Sequence, residues 1–263
     1  MAWQLKREEQ LDGERLRAML EENPARAAQA ILGAAGQGVV EAQALLGQIL
    51  LDGRGIQRDA PLALRWFEIA ANNGHVMARN MLGRCHEHGW GCLADVGQAA
   101  AHYRLAANAG LDWGLYNYGN LLATGRGVRV DQGAALACYR QAAELGHAKS
   151  MNLYGRYLEQ GIAIPVDRSA AYEWYQRSAQ AGDFRGQFSF ATALFEAGRV
   201  EQALHWFEQA LANGNLNFMR VSTPMLEQLG DTRLDGLAQA YRVRLEQLAQ
   251  VAATLTSPAH PTL

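Results

Sequence analysis

Hydrophobic and small residues recur along this chain with a period of 36 residues. The clearest unit is segment 42–74, in which two stretches with apolar residues at helical spacing flank a glycine-rich connection. The same arrangement returns three more times. The recurring positions are a helix glycine (Gly47, Gly83, Gly119, Gly155), a loop glycine (Gly53, Gly89, Gly125, Gly161), an aspartate (Asp59, Asp95, Asp131, Asp167) and a closing glycine (Gly74, Gly110, Gly146, Gly182). A fixed period of this length predicts a stacked array of repeats.

The hydrophobic pattern of each copy predicts a pair of helices. In the first copy they cover about 40–51 and about 60–72, each with its apolar residues on one side. We expect Asp59 and its equivalents to cap the second helix, and the loop glycines to adopt positive φ. Glycine inside a helix costs about 1 kcal/mol relative to alanine. Gly47 and its equivalents therefore predict that another helix crosses here too closely for a Cβ atom.

The beginning of the chain departs from the repeat. Residues 1–39 are predicted to form a cap with a degenerate repeat, because several of their small residues stand 36 positions before repeat positions. Residues 40–214 are predicted to hold five repeats in one array. The fifth has Ala191 at the helix-glycine position and a loop shortened by four residues, to 196–200.

The C-terminal part carries no repeat register. Residues 215–255 are predicted to form capping helices, a short one starting at Thr223 and a long amphipathic one over 232–255. The long helix either covers the last repeat or forms a homodimer, since it has apolar surface to spare. Residues 256–263, with two prolines, are predicted to be a disordered tail.

With glycine, aspartate and an aromatic pair at these spacings, and with Ala-Ala-x-x-Gly at the end, the copies resemble Sel-one-like repeats (SLR), relatives of the tetratricopeptide repeat. The resemblance implies an all-α fold, a right-handed α-solenoid of stacked helix-loop-helix repeats whose first helices line a concave surface. It also implies a scaffold or adaptor that binds a protein or an extended peptide, without catalysis. The secreted branch of the family carries a cysteine pair in each repeat, which this chain lacks, so export and disulfides are not expected.

The composition indicates which classes of partner and which cellular compartment to expect. A net charge of −2 gives no bulk attraction to nucleic acid. No apolar run is long enough for membrane insertion, and the N-terminus does not read as a leader peptide. Three cysteines without pairwise spacing favour reduced thiols, hence a cytoplasmic protein.

The first helices keep polar and aromatic positions that packing does not explain. On the side opposite the leucines and glycines, equivalent positions of successive copies would lie next to each other. We expect this side to bind an extended peptide, because asparagine pairs with backbone amides, arginine with carboxylates and aromatic rings with apolar side chains. The candidate residues are Asn80, Arg84, Tyr116, Asn120, Asn152, Arg156, Arg185, Phe188 and Phe195. The alternative is a solvated face on which Arg84 and Arg156 pair with Glu87 and Glu159.

A cluster of potential metal ligands, Cys85, His86, His88 and Cys92, suggests a metal-binding or enzymatic alternative. The repeat register argues against it, because Cys85, His86 and Cys92 replace apolar core residues of the other copies. No histidine stands in a triad pattern, and the glycine loops lack the lysine of a phosphate-binding loop. The sequence therefore predicts no cofactor and no catalytic residue.

Overall fold

A computed structural model describes residues 13–256, and most of the predicted tail and the first part of the predicted cap lie outside this range. Over the described range the fold is all-helical, as predicted, with no strand. The helices are α1 (Gly13–Glu22), α2 (Pro24–Gly36), α3 (Val40–Asp52), α4 (Ala60–Asn72), α5 (Val76–His88), α6 (Val96–Asn108), α7 (Asp112–Thr124), α8 (Gln132–Glu144), α9 (Ala148–Gln160), α10 (Arg168–Gln180), α11 (Phe184–Glu196), α12 (Val200–Asn213), α13 (Leu216–Gln228) and α14 (Asp235–Thr256), with a short 3-10 helix (Thr232–Leu234) before α14.

The repeats are helix pairs of constant length, since α3 to α11 each contain 13 residues. The predicted aspartate caps are confirmed. Asp59 accepts a hydrogen bond from the Leu62 amide at 2.9 Å, which satisfies a backbone donor that the first helical turn leaves unpaired. The equivalent aspartates of the next three copies cap α6, α8 and α10 in the same way, at 2.9–3.0 Å.

Two glycines shape the loop inside each repeat. Gly53 ends α3 at a φ of 72°, in the left-handed region that glycine tolerates best. Gly55, two residues later, also has positive φ and lies against the start of α2: a Cβ atom there would be 2.0 Å from the carbonyl oxygen of Pro24. Gly91 and Gly127 approach the first residues of α4 and α6 equally closely, at 2.3 and 2.5 Å. The loop therefore contacts the preceding second helix through backbone atoms.

The fourth loop breaks this rule. Ala163 stands where the other copies have a second loop glycine, and it adopts a φ of 59°. It is the one non-glycine residue with positive φ in the described part of the chain. A left-handed conformation costs an L-residue with a Cβ atom about 1–2 kcal/mol, so this loop holds local strain.

The predicted close helix crossings are confirmed. A Cβ atom on Gly47 would lie 2.7 Å from the ring of Phe67, and one on Gly155 would lie 2.7 Å from the ring of Tyr175. Gly47 and Gly155 thus receive the aromatic residue of the second helix in their own repeats, as Gly83 receives Tyr103. This contact explains why glycine is kept despite its low helix propensity.

The chain divides into two compact units, Met1–Cys138 and Tyr139–Leu263, with the division inside α8. The core of unit 1 is rich in alanine, and its largest fully buried side chains include Leu46, Phe67 and Tyr103. The core of unit 2 is more aromatic. Its buried rings include Tyr139, Tyr157, Tyr175, Phe207 and Tyr241.

The shortened fifth copy forms as predicted, with α11 and α12 joined by three residues. The predicted helix start at Thr223 is wrong, because α13 begins at Leu216 and contains Pro224. Asn215 supplies the cap, its side chain accepting from the Phe218 amide at 3.0 Å.

The last helix begins at Asp235, after the 3-10 helix, and its first half is anchored in unit 2. Tyr241 is fully buried and donates its hydroxyl hydrogen to the Phe207 carbonyl oxygen of α12 at 2.8 Å. Further along, Val243 and Val251 are exposed. Among the described helices, none combines the length and apolar character needed to cross a membrane.

Candidate protein-binding groove

Three consecutive first helices of unit 2, α9, α11 and α13, line a groove of about 490 Å³. Each helix contributes residues spaced three or four apart, which lie on one helix face. The lining residues are Arg156, Glu159 and Gln160 of α9, Tyr175 of α10, Arg185, Phe188, Ser189 and Thr192 of α11, and Asn217, Phe218, Val221, Ser222 and Met225 of α13. This is the side of the first helices on which the sequence predicted a binding site.

The groove has an aromatic floor. Phe188 and Phe218 are buried and meet edge to face, with ring centroids 5.8 Å apart. Above them on α13, Val221 and Met225 are four residues apart and expose 61% and 48% of their surface. Together with the aromatic floor, these two side chains form an apolar surface that another apolar surface could cover.

The groove also carries charge. Arg156 is exposed and Arg185 half-buried, and neither forms an ion pair with a carboxylate in the described part of unit 2. Arg185 instead lies over the ring of Phe184, 4.5 Å from its centroid. Glu159 accepts a hydrogen bond from the Tyr175 hydroxyl at 2.8 Å. Burial and this carboxylate raise the pKa of Tyr175, so its hydroxyl stays a donor.

Of the nine predicted binding residues, the groove brings together Arg156, Arg185 and Phe188. Asn152, one turn before Arg156, is buried, and its side-chain oxygen has no hydrogen-bond partner within the described residues. Phe195 is half-buried outside the groove, with the Arg233 guanidinium 5.9 Å from its ring centroid.

The other four predicted residues belong to unit 1. Asn80 is buried, and its side-chain oxygen accepts a hydrogen bond from Asn117 at 2.9 Å, which is an internal role. Arg84 is exposed and lies 4.9 Å from the ring centroid of Trp90. Tyr116 and Asn120 are half-buried on α7.

The predicted alternative, in which each arginine pairs with the glutamate three residues on, does not appear in the described structure. Glu87 instead accepts from the Tyr103 hydroxyl at 2.7 Å and pairs with Arg126 at 3.0 Å. The acidic residues at this position are thus bound to the second helix, and Arg84 and Arg156 remain available.

The sequence reading missed the α13 wall of the groove. Asn217, Val221 and Met225 were assigned to a cap because the 36-residue register ends near residue 214. A signal was present: the fifth copy is four residues short, so the next first helix should begin 32 residues after Phe184, at Leu216. This is where α13 begins.

Unit 1 has a groove of its own, of about 290 Å³, lined mainly by α1, α3 and α5. Its floor includes Leu45, Phe67 and Met81. The charged residues on its rim are paired within the chain. The pairs are Arg17 with Glu41, His75 with Glu41 at 2.9 Å, Arg54 with Glu21 at 2.8 Å, and Gln48 with Asp52 at 2.7 Å.

Of the cysteine and histidine cluster, Cys85 belongs to the unit 1 core, His86 and Cys92 are half-buried, and His88 is exposed. Cys85 is fully buried, and burial raises the pKa of its thiol to about 12. Burial and Glu68 also raise the pKa of Cys92, whose sulfur lies 3.7 Å from His86 Nδ1. These thiols are therefore protonated at neutral pH, which makes them poor nucleophiles. Within residues 13–256, no group of three or more His, Cys, Asp or Glu side chains is arranged to hold a metal ion.

Solved structures of other proteins resemble this fold. A Sel1 repeat protein from Oxalobacter formigenes has a TM-score of 0.74 and 24% identity, over 93% of this chain and 100% of that one. The protective antigen c5321 of uropathogenic Escherichia coli, which displays an SLR fold, has a TM-score of 0.66 and 25% identity, over 94% of this chain and 54% of that one. The present chain thus spans about half the length of that antigen.

A third structure, the immunity protein Pa5087 from Pseudomonas aeruginosa, has a TM-score of 0.52 and 15% identity, over 84% of this chain and 89% of that one. No curated protein sequence matches the chain at a significant level.

The model of the Sel1 repeat matches residues 40–75, 76–111, 114–147, 148–183 and 200–215, which together are more than half of the chain. The gap between the last two segments holds α11, the helix whose glycine is replaced by Ala191. Sel1 repeats are generally modules for protein–protein interaction and not for catalysis. With its repeated helix pairs, its capped second helices and these five matches, the chain belongs to the Sel1 repeat family.

Proposed function

We propose that this chain is a non-catalytic adaptor that holds a segment of a partner protein in the groove between α9, α11 and α13. The observation that carries the proposal is the combination, in one groove of about 490 Å³, of exposed apolar side chains with two arginines that form no ion pair with a carboxylate of unit 2 within the described residues. Such a surface has both an apolar contact area and directional hydrogen-bond donors for a partner.

Within the set predicted from the sequence, we assign ligand contacts to Arg156, Arg185 and Phe188. Asn80 and Asn152 receive a different role in this proposal. Both are almost fully buried, at 2% and 3% exposure, so we assign them to packing between first helices.

Site-specific photocrosslinking tests the proposal. A benzophenone amino acid is placed at Val221, in the groove, or at Glu173, which is exposed on α10 outside the groove. We expect a crosslinked partner from position 221 and not from position 173 in cells that express the chain. Equal adducts from both positions, or adducts only from position 173, would contradict the proposal.

The compartment is a separate proposal. Cys85, Cys92 and Cys138 are free thiols, and reduced thiols persist in the cytosol, so we propose a cytoplasmic protein. Fractionation of cells that make the tagged full-length chain tests this, and recovery in the medium or the periplasm would contradict it.

A homodimer through the C-terminal helix is the third part of the proposal. Val243 and Val251 are 41% and 57% exposed on α14. Tyr241 is buried, so deletion of the helix would disturb the core. The double variant Val243→Glu with Val251→Glu instead changes only exposed positions, and it should convert the dimer to a monomer. Sedimentation equilibrium tests the homodimer. A wild-type mass equal to one chain would contradict it, and so would an equal mass for the wild type and the double variant.

A further inference from the structure

The two grooves differ in whether their charged side chains form ion pairs within the chain. In unit 1, the acidic and basic side chains on the rim pair with each other, as in the contact of His75 with Glu41 at 2.9 Å. In unit 2, the one carboxylate among the lining residues, Glu159, is bound to the Tyr175 hydroxyl. Arg156 and Arg185 stay unpaired with any carboxylate of unit 2 in the described range. The unit 2 groove therefore carries two guanidinium groups and one carboxylate, an excess of positive charge that an acidic ligand could balance.

The exposed apolar side chains of the groove lie on a different helix from the arginines. Val221 and Met225 belong to α13, whereas the two guanidinium groups belong to α9 and α11. Packed helices lie about 8–10 Å apart, so three in a row span about 16–20 Å. An extended chain covers about 3.3–3.6 Å per residue. A segment of about five or six residues can therefore reach from the arginines to the valine and methionine.

We propose that the groove selects partner segments in which an aspartate or glutamate lies within about five residues of a large aliphatic or aromatic side chain. The carboxylate accepts hydrogen bonds from Arg156 or Arg185, and the apolar side chain covers Val221 and Met225 above the ring of Phe218. This inference rests on the proposed function, because it assigns a ligand chemistry to the same groove. An arginine–carboxylate contact is directional and charge-assisted, so it fixes the register of the segment.

Selection from a random twelve-residue peptide library tests the inference with the full-length chain as bait. We expect the enriched peptides to combine an acidic residue with a nearby Leu, Ile, Met or Phe. One enriched peptide is then synthesised with a fluorescent label, together with an analogue in which Asn or Gln replaces its acidic residue. We expect the Kd of the analogue, measured by fluorescence anisotropy, to be at least about tenfold higher, the equivalent of about 1.4 kcal/mol.

Protein variants assign the effect to the groove. The double variant Arg156→Ser with Arg185→Ser should lower the affinity for the acidic peptide at least tenfold and leave the affinity for the neutral analogue unchanged. Val221→Asp should lower the affinity for both peptides. Arg177→Ser is the matched control, because Arg177 lies over the Trp174 ring at 4.0 Å and is not a groove residue. It should change neither affinity. Circular dichroism checks that every variant is folded.

The outcomes separate this inference from the proposed function. Enriched peptides that lack an acidic residue but do not bind the Val221→Asp variant would overturn the charge specificity and leave groove binding intact. Enriched peptides that bind Val221→Asp as well as wild type, or no enrichment at all, would overturn both. A peptide whose affinity falls equally with Arg177→Ser and with the groove arginines would show general charge attraction, and would also overturn the specificity.

Discussion

Gly83 lies directly beneath the ring of Tyr103: a Cβ atom on Gly83 would be 2.5 Å from two of the ring carbons. The same tyrosine donates its hydroxyl hydrogen to Glu87, one turn after Gly83 on α5. Glu87 in turn pairs with Arg126 of the next loop. One residue of the second helix is thus fixed by a close contact at its ring and by a hydrogen bond at its tip.

The first prediction concerns this crossing. Gly83→Ala should lower the free energy of unfolding by up to about 2 kcal/mol, because overpacking costs about 1–3 kcal/mol and the gain in helix propensity is about 1 kcal/mol. Urea denaturation followed by circular dichroism measures the change. Gly33→Ala in α2 is the control, since a Cβ atom there meets nothing within 4 Å, and it should be neutral or stabilising. A stabilising Gly83→Ala would show that the ring of Tyr103 moves aside without cost.

The second prediction transfers the hydroxyl contact to another repeat. The first repeat has Phe67 and Leu51 where the second has Tyr103 and Glu87. Phe67→Tyr alone should cost about 1–3 kcal/mol, because the buried hydroxyl has no acceptor at position 51. With Leu51→Glu added, a double-mutant cycle should give a favourable coupling energy of about 1 kcal/mol or more. Additive effects of the two changes would contradict the pairing rule.

The third prediction concerns the strained loop of the fourth repeat. Ala163→Gly should raise the free energy of unfolding by about 0.5–1 kcal/mol, since relief of a left-handed φ exceeds the extra chain entropy of glycine. The reverse change in the preceding repeat, Gly127→Ala, should destabilise strongly, because its Cβ atom would lie 2.5 Å from the carbonyl oxygen of Val96. Thermal unfolding of both variants checks the signs. A loss of stability in Ala163→Gly would show that the Cβ atom makes a favourable contact.

The fourth prediction is a pH dependence. Burial, with smaller effects of His86 and Arg79, lowers the pKa of His102 from 6.5 to about 4. Between these values the unfolded chain binds the proton and the folded chain does not, so this contribution to stability is complete above pH 6.5 and is lost as the pH falls towards 4. The free energy of unfolding should therefore fall less steeply with acid in His102→Leu than in wild type. Parallel curves from pH 7.5 to 4.5 would contradict this.

The local features of the repeats could be predicted because they depend on backbone geometry. A cap such as Asp59 and a left-handed glycine such as Gly53 are needed wherever the chain takes that shape. The role of Asn80 could not be predicted in this way, because it is set by a neighbouring helix. Asn117, its hydrogen-bond partner, stands at a position that Leu45, Met81 and Leu153 occupy in the other copies. That one polar residue in an apolar register was the available sign of an internal pair.

The groove could be predicted only in part for a related reason. Arg156, Arg185 and Phe188 follow the repeat register and were found with it, whereas Val221 and Met225 lie beyond the four-residue deletion that shifts the register. A fixed period detects helices of equal spacing, and a shortened loop changes the spacing without changing the packing. His75 was overlooked for a different reason: its ring nitrogen caps α5 by accepting from the Ala78 amide at 3.0 Å, and histidine is not among the usual capping residues.

The backbone contact of the second loop glycine has an evolutionary consequence. Gly55, Gly91 and Gly127 each meet a main-chain carbonyl of the preceding second helix, and every residue type supplies such a carbonyl. Neighbouring repeats at these loops therefore need no matched side chains. A gene that duplicates, deletes or recombines whole repeats keeps these junctions intact, so the number of repeats and the residues that face a partner can diverge independently.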